Sequence, residues 1–272
     1  MWLLKLLLVP VAIYVLLVAL LFFMQTSLVF PVKHVGPPLP LPPGAEPLEL
    51  SVRPGLPLRG VRLPAAAPVG ARTLILGFGG NAADAAGTAL MLRDLYPQAE
   101  IVAFYYRGYP PSGGRPGAAA LQADALLIFD AMRERLRPER TVAVGFSVGS
   151  GVASALAAQR ELDGLILVTP FDSLARVAAG HYPWVPVRLL FRHPLEPARD
   201  LAQVRTPVAI VAGARDTLVV PARTEALRRA IPNLVFDRTI AGAGHNDIYE
   251  RSEFRHAMGE ALRHVLRRET PT

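Results

Sequence analysis

The sequence of 272 residues contains no cysteine. Within this sequence, that absence excludes a disulfide framework, a thiolate nucleophile, a palmitoylated cysteine and a cysteine-based zinc site. It does not identify the redox compartment, because an oxidising space permits disulfides without requiring them. Any covalent chemistry of the chain must therefore use other side chains.

Charged residues are also missing from Leu6 to Met24. About 19 residues with a rise of ~1.5 Å each nearly cross the ~30 Å hydrocarbon core of a bilayer, which predicts a transmembrane anchor within residues 1–26. A cleaved signal peptide is the alternative, but residues 22–27 contain no small-residue cleavage site. Lys5 precedes the segment and the next cation, Lys33, follows several residues after it. This bias predicts that the body of the protein lies outside the cytoplasm, on the periplasmic side in a bacterium.

Basic residues outnumber acidic ones by 29 to 22, which gives a net charge of +7. Several arginines lie near the C-terminus: Arg251, Arg255, Arg263, Arg267 and Arg268. Glutamates are interleaved with them, which favours a solvated helix face over a surface for anionic head groups. No motif beyond the charge indicates nucleic-acid binding, so nucleic acid is not a predicted partner.

Residues 27–47 are dense in proline, which predicts an extended linker. After it, residues 48–52 and 56–63 predict an antiparallel hairpin at the edge of a sheet. Apolar runs then predict central strands at residues 73–76, 101–104, 141–144, 165–168, 208–211 and 234–236. Helical patterns lie between most of them or after the last one, at residues 83–95, 118–136, 148–160, 221–230 and 247–268. The alternation predicts an α/β domain over residues 48–270, with a mostly parallel sheet and helices on both faces.

One segment breaks this alternation. Residues 171–200 carry four prolines together with the apolar side chains of Trp184, Leu189, Leu190 and Phe191. The segment is too broken for a long helix and too apolar for a bare loop. We predict a small cap at about residues 175–200 over a functional site, and an ordinary packing excursion is the alternative.

A Gly-x-Ser-x-Gly sequence, Gly145-Phe146-Ser147-Val148-Gly149, lies between the strand predicted at 141–144 and a helical run. Such a sequence is typical of a tight strand-to-helix turn that exposes the serine as a nucleophile, with glycines on both sides because bulky neighbours clash. A serine hydroxyl needs a general base near neutral pH. Ser147 is therefore the predicted nucleophile.

A base and an acid follow Ser147 in the order Ser, Asp, His. His245 is the predicted base, because among six histidines it alone lies in a glycine-rich loop just after the last predicted strand. Asp216 follows the strand at 208–211 and is the predicted acid that orients the imidazole, with Asp172 as the runner-up. The predicted oxyanion donors are the Val148 amide, which opens the helix, and either Gly80 or Asn81.

Five short motifs occur in a fixed order. They are Phe78-Gly79-Gly80-Asn81-Ala82, Tyr106-Arg107-Gly108-Tyr109 with Ser112 and Gly114, Pro170-Phe171-Asp172-Ser173-Leu174, Gly213…Asp216…Val219-Val220-Pro221, and Gly244-His245-Asn246-Asp247. Together with Ser147 they resemble the α/β-hydrolase fold superfamily over about residues 48–268. The likeness is greatest to its membrane-anchored Bem46-like branch, which includes the mammalian α/β-hydrolase domain-containing proteins 13 and 17.

The resemblance implies a serine hydrolase that acts on esters, thioesters or lipids. Two residues depart from the pattern: Gly79 replaces the usual histidine, and Pro110 stands where glycine is frequent. Arg107 is expected to brace its own loop, because the guanidinium fork suits carbonyls and carboxylates.

These observations predict a membrane-tethered serine hydrolase that needs neither a metal nor an organic cofactor. The predicted substrate is an acyl ester or lipid-like molecule that contacts Phe78 and the cap residues Trp184, Leu189 and Phe191. Two alternatives stay open. One is a serine peptidase, and the other is a non-catalytic membrane-anchored binding protein on a degenerate hydrolase fold.

Overall fold

The computed structural model describes residues 2–67 and 70–267, with side chains described from Leu8 onward. Within those ranges the strands of one sheet are β1 (Glu46–Arg53), β2 (Leu56–Leu63), β3 (Thr73–Phe78), β4 (Glu100–Phe104), β5 (Arg140–Phe146), β6 (Gly164–Val168), β7 (Val208–Gly213) and β8 (Leu234–Ile240). The helices are α1 (Trp2–Val29), α2 (Ala85–Leu95), α3 (Ala118–Leu136), α4 (Val148–Ala157), α5 (Leu174–His181), α6 (Val187–Leu190), α7 (Pro197–Asp200), α8 (Pro221–Arg228) and α9 (Ser252–Val265).

The sheet is mostly parallel, as predicted. Its strand order is β1-β2-β4-β3-β5-β6-β7-β8, with antiparallel pairing only where β2 meets β1 and β4 among the described strands. Strands β6 and β7 are buried along their whole length, which explains their continuous runs of Val, Ile and Leu. Because the carboxyl ends of parallel strands meet at one edge, the loops after β3, β5, β7 and β8 lie together.

Helices α4 and α8 end two or three residues earlier than predicted, at Ala157 and Arg228. Two other helix boundaries differ from the prediction for local reasons. Helix α2 begins at Ala85 because the carboxylate of Asp84 accepts hydrogen bonds from the amides of Ala86 and Gly87 and caps the helix. The helix predicted at 247–268 is instead a short 3₁₀ turn, Asp247–Glu250, followed by α9. Arg251 between them is extended, and its guanidinium binds Asp247. Arg268 lies outside the described residues.

Helix α1 is long and apolar enough to cross a membrane, by length and composition. It extends past residue 26 to Val29, and the next side chain, Phe30, is buried in the core. Within residues 171–200, the chain forms the short helices α5, α6 and α7 between β6 and β7. The division into an anchor, a linker and a hydrolase domain with a cap insertion stays a prediction.

Both edges of the sheet carry charged pairs. At β1, Glu49 pairs with Arg59 at 3.0 Å, and Arg62 bonds Glu46 at 2.7 Å. At β8, Asp237 pairs with Arg228 at 2.8 Å and Arg238 with Glu260 at 3.1 Å. Each edge strand therefore presents ionised side chains beside its unpaired backbone.

Helix α9 packs closely against β6 because Gly164 has no side chain. A Cβ at Gly164 would lie 2.6 Å from Val265 Cγ2 and 2.7 Å from Val265 Cβ. We expect Gly164→Ala to lower the free energy of unfolding by about 1–3 kcal/mol, because overpacking must push α9 outward. Urea unfolding of the chain measures this change.

The matched control is Gly180→Ala in α5, where a Cβ meets nothing within 4 Å. It should leave stability unchanged or slightly raised, because alanine favours helix over glycine. Equal losses in both variants would contradict the packing argument.

Candidate active site

Ser147 lies in a sharp turn between β5, which ends at Phe146, and α4, which begins at Val148. Its φ of +50° is unusual for a residue with a side chain and marks the strain of such a turn. A Cβ at Gly149 would overlap the carbonyl oxygens of Phe78 and Gly79, and one at Gly145 would lie 2.5 Å from the carbonyl oxygen of Gly149. The two glycines that flank the serine are therefore required by close backbone packing.

The structure brings the three predicted triad residues together. His245 Nε2 lies 2.9 Å from Ser147 Oγ, and His245 Nδ1 lies 2.7 Å from Asp216 Oδ2. The other carboxylate oxygen of Asp216 accepts the amides of Leu218, at 2.9 Å, and Val219, at 2.7 Å. Both Asp216 and His245 are buried. With each carboxylate oxygen occupied, Asp216 holds the imidazole in one orientation.

Asp172, the alternative acid, has different partners. It is almost fully buried, and its Oδ2 accepts Arg176 at 3.1 Å and Arg223 at 3.2 Å. Its remaining oxygen has no hydrogen-bond partner among the described residues. Asp172 therefore ties α5 and α8 to the end of β6 and does not contact His245.

The loop after β3 lies beside Ser147. A Cβ at Gly80 would lie 3.9 Å from Ser147 Cβ, and both Gly80 and Asn81 line the cleft that contains Ser147 and His245. Val148 is the first residue of α4, so its amide is one of those left free at a helix N-terminus. The oxyanion roles of Val148, Gly80 and Asn81 stay predictions, and this placement is compatible with them.

Two tyrosines that the sequence reasoning did not assign hold this loop. The hydroxyl of Tyr106 donates to the carbonyl oxygen of Gly79 at 2.7 Å, and that of Tyr109 donates to the carbonyl oxygen of Asn81 at 2.5 Å. Burial raises the pKa of both phenols above the ordinary value, so both stay protonated donors. The 79–80 and 81–82 peptides are thereby fixed. The signal available in the sequence was the Tyr106-Arg107-Gly108-Tyr109 motif.

Arg107 braces this tyrosine loop. Its guanidinium forms a two-pronged ion pair with the buried carboxylate of Asp124 on α3. Burial raises the pKa of Asp124, and the charge of Arg107 opposes that rise. The pair anchors the loop to α3 and keeps Arg107 out of the cleft.

Gly79 fits its position for a steric reason. A Cβ there would lie 2.6 Å from Ala83 Cβ and 2.9 Å from Thr88 Oγ1. The space that a histidine side chain would need is therefore filled. In this chain the hydroxyl of Tyr106 fixes the loop instead.

The cleft at Ser147 has a volume of about 550 Å³, which lies in the range of small-molecule sites. Its walls include the loop at 79–84, Met91, Leu218 and Tyr249. Burial raises the pKa of Tyr249 to about 12, so this phenol is neutral at ordinary pH. No group of three or more His, Asp or Glu side chains in the described part of the chain is placed to hold a metal ion.

The four predicted substrate contacts lie elsewhere. Phe78 faces an internal space between β3 and α3. Trp184 is 47% exposed and its ring lies 6.3 Å from that of Tyr14, while Phe191 lines a space shared with α1. Leu189 is 85% exposed. The structure does not bring the three cap side chains to Ser147, because the chain from 182 to 193 follows α1. Phe78 is not among the residues that line the cleft at Ser147.

The family described as alpha/beta hydrolase fold matches residues 74–204. An uncharacterised protein of Mycobacterium tuberculosis is 35% identical over 181 residues, which are 65% of this chain and 64% of the relative. The alpha/beta hydrolase domain-containing protein 17C of Xenopus tropicalis is 30% identical over 61% of this chain and 53% of its own length. The matched part therefore covers less than two thirds of each relative.

A solved structure adds evidence on the fold. The esterase Pf2001 of Pyrococcus furiosus superposes with a TM-score of 0.64 at 19% sequence identity, over 84% of this chain and 98% of the other. At that identity the likeness concerns the arrangement of the sheet and helices.

The tyrosine hydroxyls provide a test of the site geometry. We expect Tyr109→Phe and Tyr106→Phe each to slow the labelling of Ser147 by a fluorophosphonate about tenfold, because a loosened loop would no longer hold the predicted oxyanion donors in place. Labelling rates measured over a range of probe concentrations separate reactivity from probe binding.

Tyr96→Phe is the matched control, because the buried hydroxyl of Tyr96 also donates to a backbone carbonyl, that of Met258, but lies outside the cleft. All three variants lose one hydrogen bond from a tyrosine hydroxyl to a backbone carbonyl and should lose similar stability. If Tyr96→Phe slowed labelling as much as the other two, the effect would be a general loss of structure.

Proposed function

Because the chain belongs to the α/β-hydrolase fold superfamily and is similar to its 17C-type members, we propose that it is a membrane-anchored serine hydrolase of acyl esters or thioesters. One observation carries the proposal. Two hydrogen bonds link Ser147 Oγ, the His245 imidazole and the Asp216 carboxylate at the wall of an open cleft. That chain of contacts is what proton transfer from a serine hydroxyl requires.

In the first half of the reaction, Ser147 Oγ attacks the acyl carbonyl carbon while its proton passes to His245 Nε2. The negative charge on the carbonyl oxygen is met by the Val148 amide and an amide from the loop at Gly80 or Asn81. Collapse of this intermediate expels the alcohol or thiol, which takes the proton from His245. The acyl group is then esterified to Ser147.

In the second half, water replaces the leaving group. His245 Nε2 takes a proton from the water, whose oxygen attacks the acyl-enzyme carbonyl. Collapse releases the carboxylic acid as Ser147 Oγ recovers the proton. Throughout, Asp216 keeps its charge and stabilises the imidazolium, with its second oxygen held by two backbone amides.

The anchor in this proposal is the helix within residues 1–26, followed by the linker 27–47 and by a hydrolase domain at 48–270 that carries a cap insertion at about 175–200. Retention of the helix is supported by its contacts: Gln25 is buried and bonds the backbone of Leu190 and Arg192. Removal of α1 as a signal sequence would strip those groups of their partners. The charge bias at Lys5 favours an extracytoplasmic hydrolase domain.

The substrate class follows from the cleft and the anchor. Met91 and Leu218 in the cleft wall suit an acyl chain, and a chain held at a bilayer meets lipid esters at high local concentration. The superposed Pyrococcus furiosus protein is named an esterase, which agrees with ester chemistry on this fold. Acyl esters, thioesters and lysolipids share the bond that Ser147 would attack.

The test is Ser147→Ala in the full chain. We expect it to abolish fluorophosphonate labelling and to lower turnover of p-nitrophenyl esters by at least about 10³-fold, because the acyl acceptor is gone. Acyl chains of graded length in the same assay report the depth of the cleft. Ser154→Ala is the control, since Ser154 lies in helix α4, next to Ser147, and its hydroxyl donates to the carbonyl of Ser150, its one partner among the described residues.

Three outcomes decide between the functions. If Ser147→Ala loses ester turnover and labelling while Ser154→Ala retains both, the hydrolase is supported. Turnover of peptide amides with no turnover of esters would favour a peptidase. If the unmodified chain showed neither ester turnover nor labelling of Ser147, the binding-protein alternative would be favoured.

A further inference from the structure

Helix α1 does not project away from the rest of the protein beyond its own C-terminal end. It packs along one face of the protein instead. The contacts run from Thr26, whose hydroxyl is 3.0 Å from His193 Nε2, to Tyr14, whose hydroxyl donates to the carbonyl of Trp184 at 3.0 Å. Between these two contacts the helix rises by ~18 Å. The segment at residues 182–192, here called the docking segment, therefore runs beside the apolar part of α1.

The docking segment exposes large apolar side chains on this face. Leu189 is 85% exposed, Trp184 47% and Tyr182 37%. The ring of Trp184 lies beside that of Tyr14, and Tyr182 lines an apolar space shared with α1, so the segment and the helix form one apolar patch. A patch of this kind on a chain with a membrane helix marks a surface that contacts lipid.

Hydrogen bonds within the protein join α1 to the docking segment at two levels. Gln25 donates to the carbonyls of Phe22 and Leu190 and accepts the amide of Arg192. Farther toward the N-terminus, the Tyr14 hydroxyl donates to the carbonyl of Trp184. Hydrocarbon offers no hydrogen bonds, so this pairing lowers the cost of placing the Tyr14 hydroxyl there.

Arg192 indicates the depth of insertion. It is exposed, and its guanidinium lies 4.6 Å from the centre of the Phe22 ring. If this charge meets lipid phosphates, residues 2–22 of α1 extend ~30 Å beyond it, which matches the hydrocarbon thickness. Tyr14 and its partner Trp184 then lie ~12 Å deeper than Arg192.

We infer that the docking segment inserts into one leaflet of a phospholipid bilayer beside α1, with Trp184 among the acyl chains and Arg192 at the phosphates. The inference rests on the membrane anchor in the proposed function, but not on the hydrolase chemistry of that proposal.

Insertion of the docking segment also orients the cleft. His181 at the end of α5 bonds the carbonyl of Leu218 at 2.8 Å, and Leu218 is an exposed part of the cleft wall. Docking holds that wall near the leaflet from which a lipid ester would come.

The test uses the two tryptophans of the chain, Trp2 and Trp184. In Trp2→Phe, Trp184 is the only tryptophan. We expect its emission, in the full chain reconstituted into vesicles of equimolar phosphatidylcholine and phosphatidylglycerol, to shift to shorter wavelength than in the urea-unfolded chain. Replacing the lipids with analogues brominated along the acyl chain should quench it strongly.

The control carries Trp2→Phe, Trp184→Phe and Phe236→Trp. Phe236 lies on β8 and packs on His264, outside the contacts with α1. The emission of the tryptophan at position 236 should be the same in brominated and in unbrominated vesicles.

Each outcome has one meaning. Quenching of Trp184 without quenching of the control supports docking. A vesicle-bound chain whose Trp184 is not quenched, or in which both are quenched alike, overturns it. A chain that does not stay with vesicles on flotation overturns the anchor as well, and ester turnover by Ser147 is measured separately.

Discussion

The close approach of α4 to the end of β3 is the constraint on which the site depends. Gly149 in the first turn of α4 lies against the carbonyl oxygens of Phe78 and Gly79, where no side chain fits. This contact draws the turn at Ser147 onto the sheet edge where the loop at Gly80 and the imidazole of His245 also lie. Residues with no functional group thus decide whether the reactive groups meet.

Much of the fold and part of the site could be predicted from the sequence. The strands at β5, β6 and β7 were visible because burial on both faces selects continuous apolar runs. The meeting of Ser147, Asp216 and His245 followed from the geometry of parallel strands, whose carboxyl ends share one edge. Their catalytic roles stay predictions, and the geometry agrees with them.

Other features of the structure could not be recognised in the sequence. The hydroxyls of Tyr106 and Tyr109 bond backbone carbonyls, and a carbonyl is present at every residue, so no partner can be recognised in the sequence. The break before α9 depends on local bonds of Asp247, which compete with a helical pattern that looks unbroken. The apolar character of Trp184 and Leu189 suggested substrate contacts, but the same character suits a lipid surface. The position of Trp184 beside α1 favours the second interpretation for that residue, and this position depends on a contact between residues 170 apart in the chain.

The charged pairs at the two ends of the sheet have a consequence for crowding. An open sheet offers unpaired backbone groups at β1 and β8, and copies gathered on a surface collide far more often than copies in solution. Glu49 with Arg59 at one end, and Asp237 with Arg228 at the other, would have to give up water or their partners before a neighbouring strand could pair there. Lateral growth of the sheet from one molecule to the next is thereby opposed.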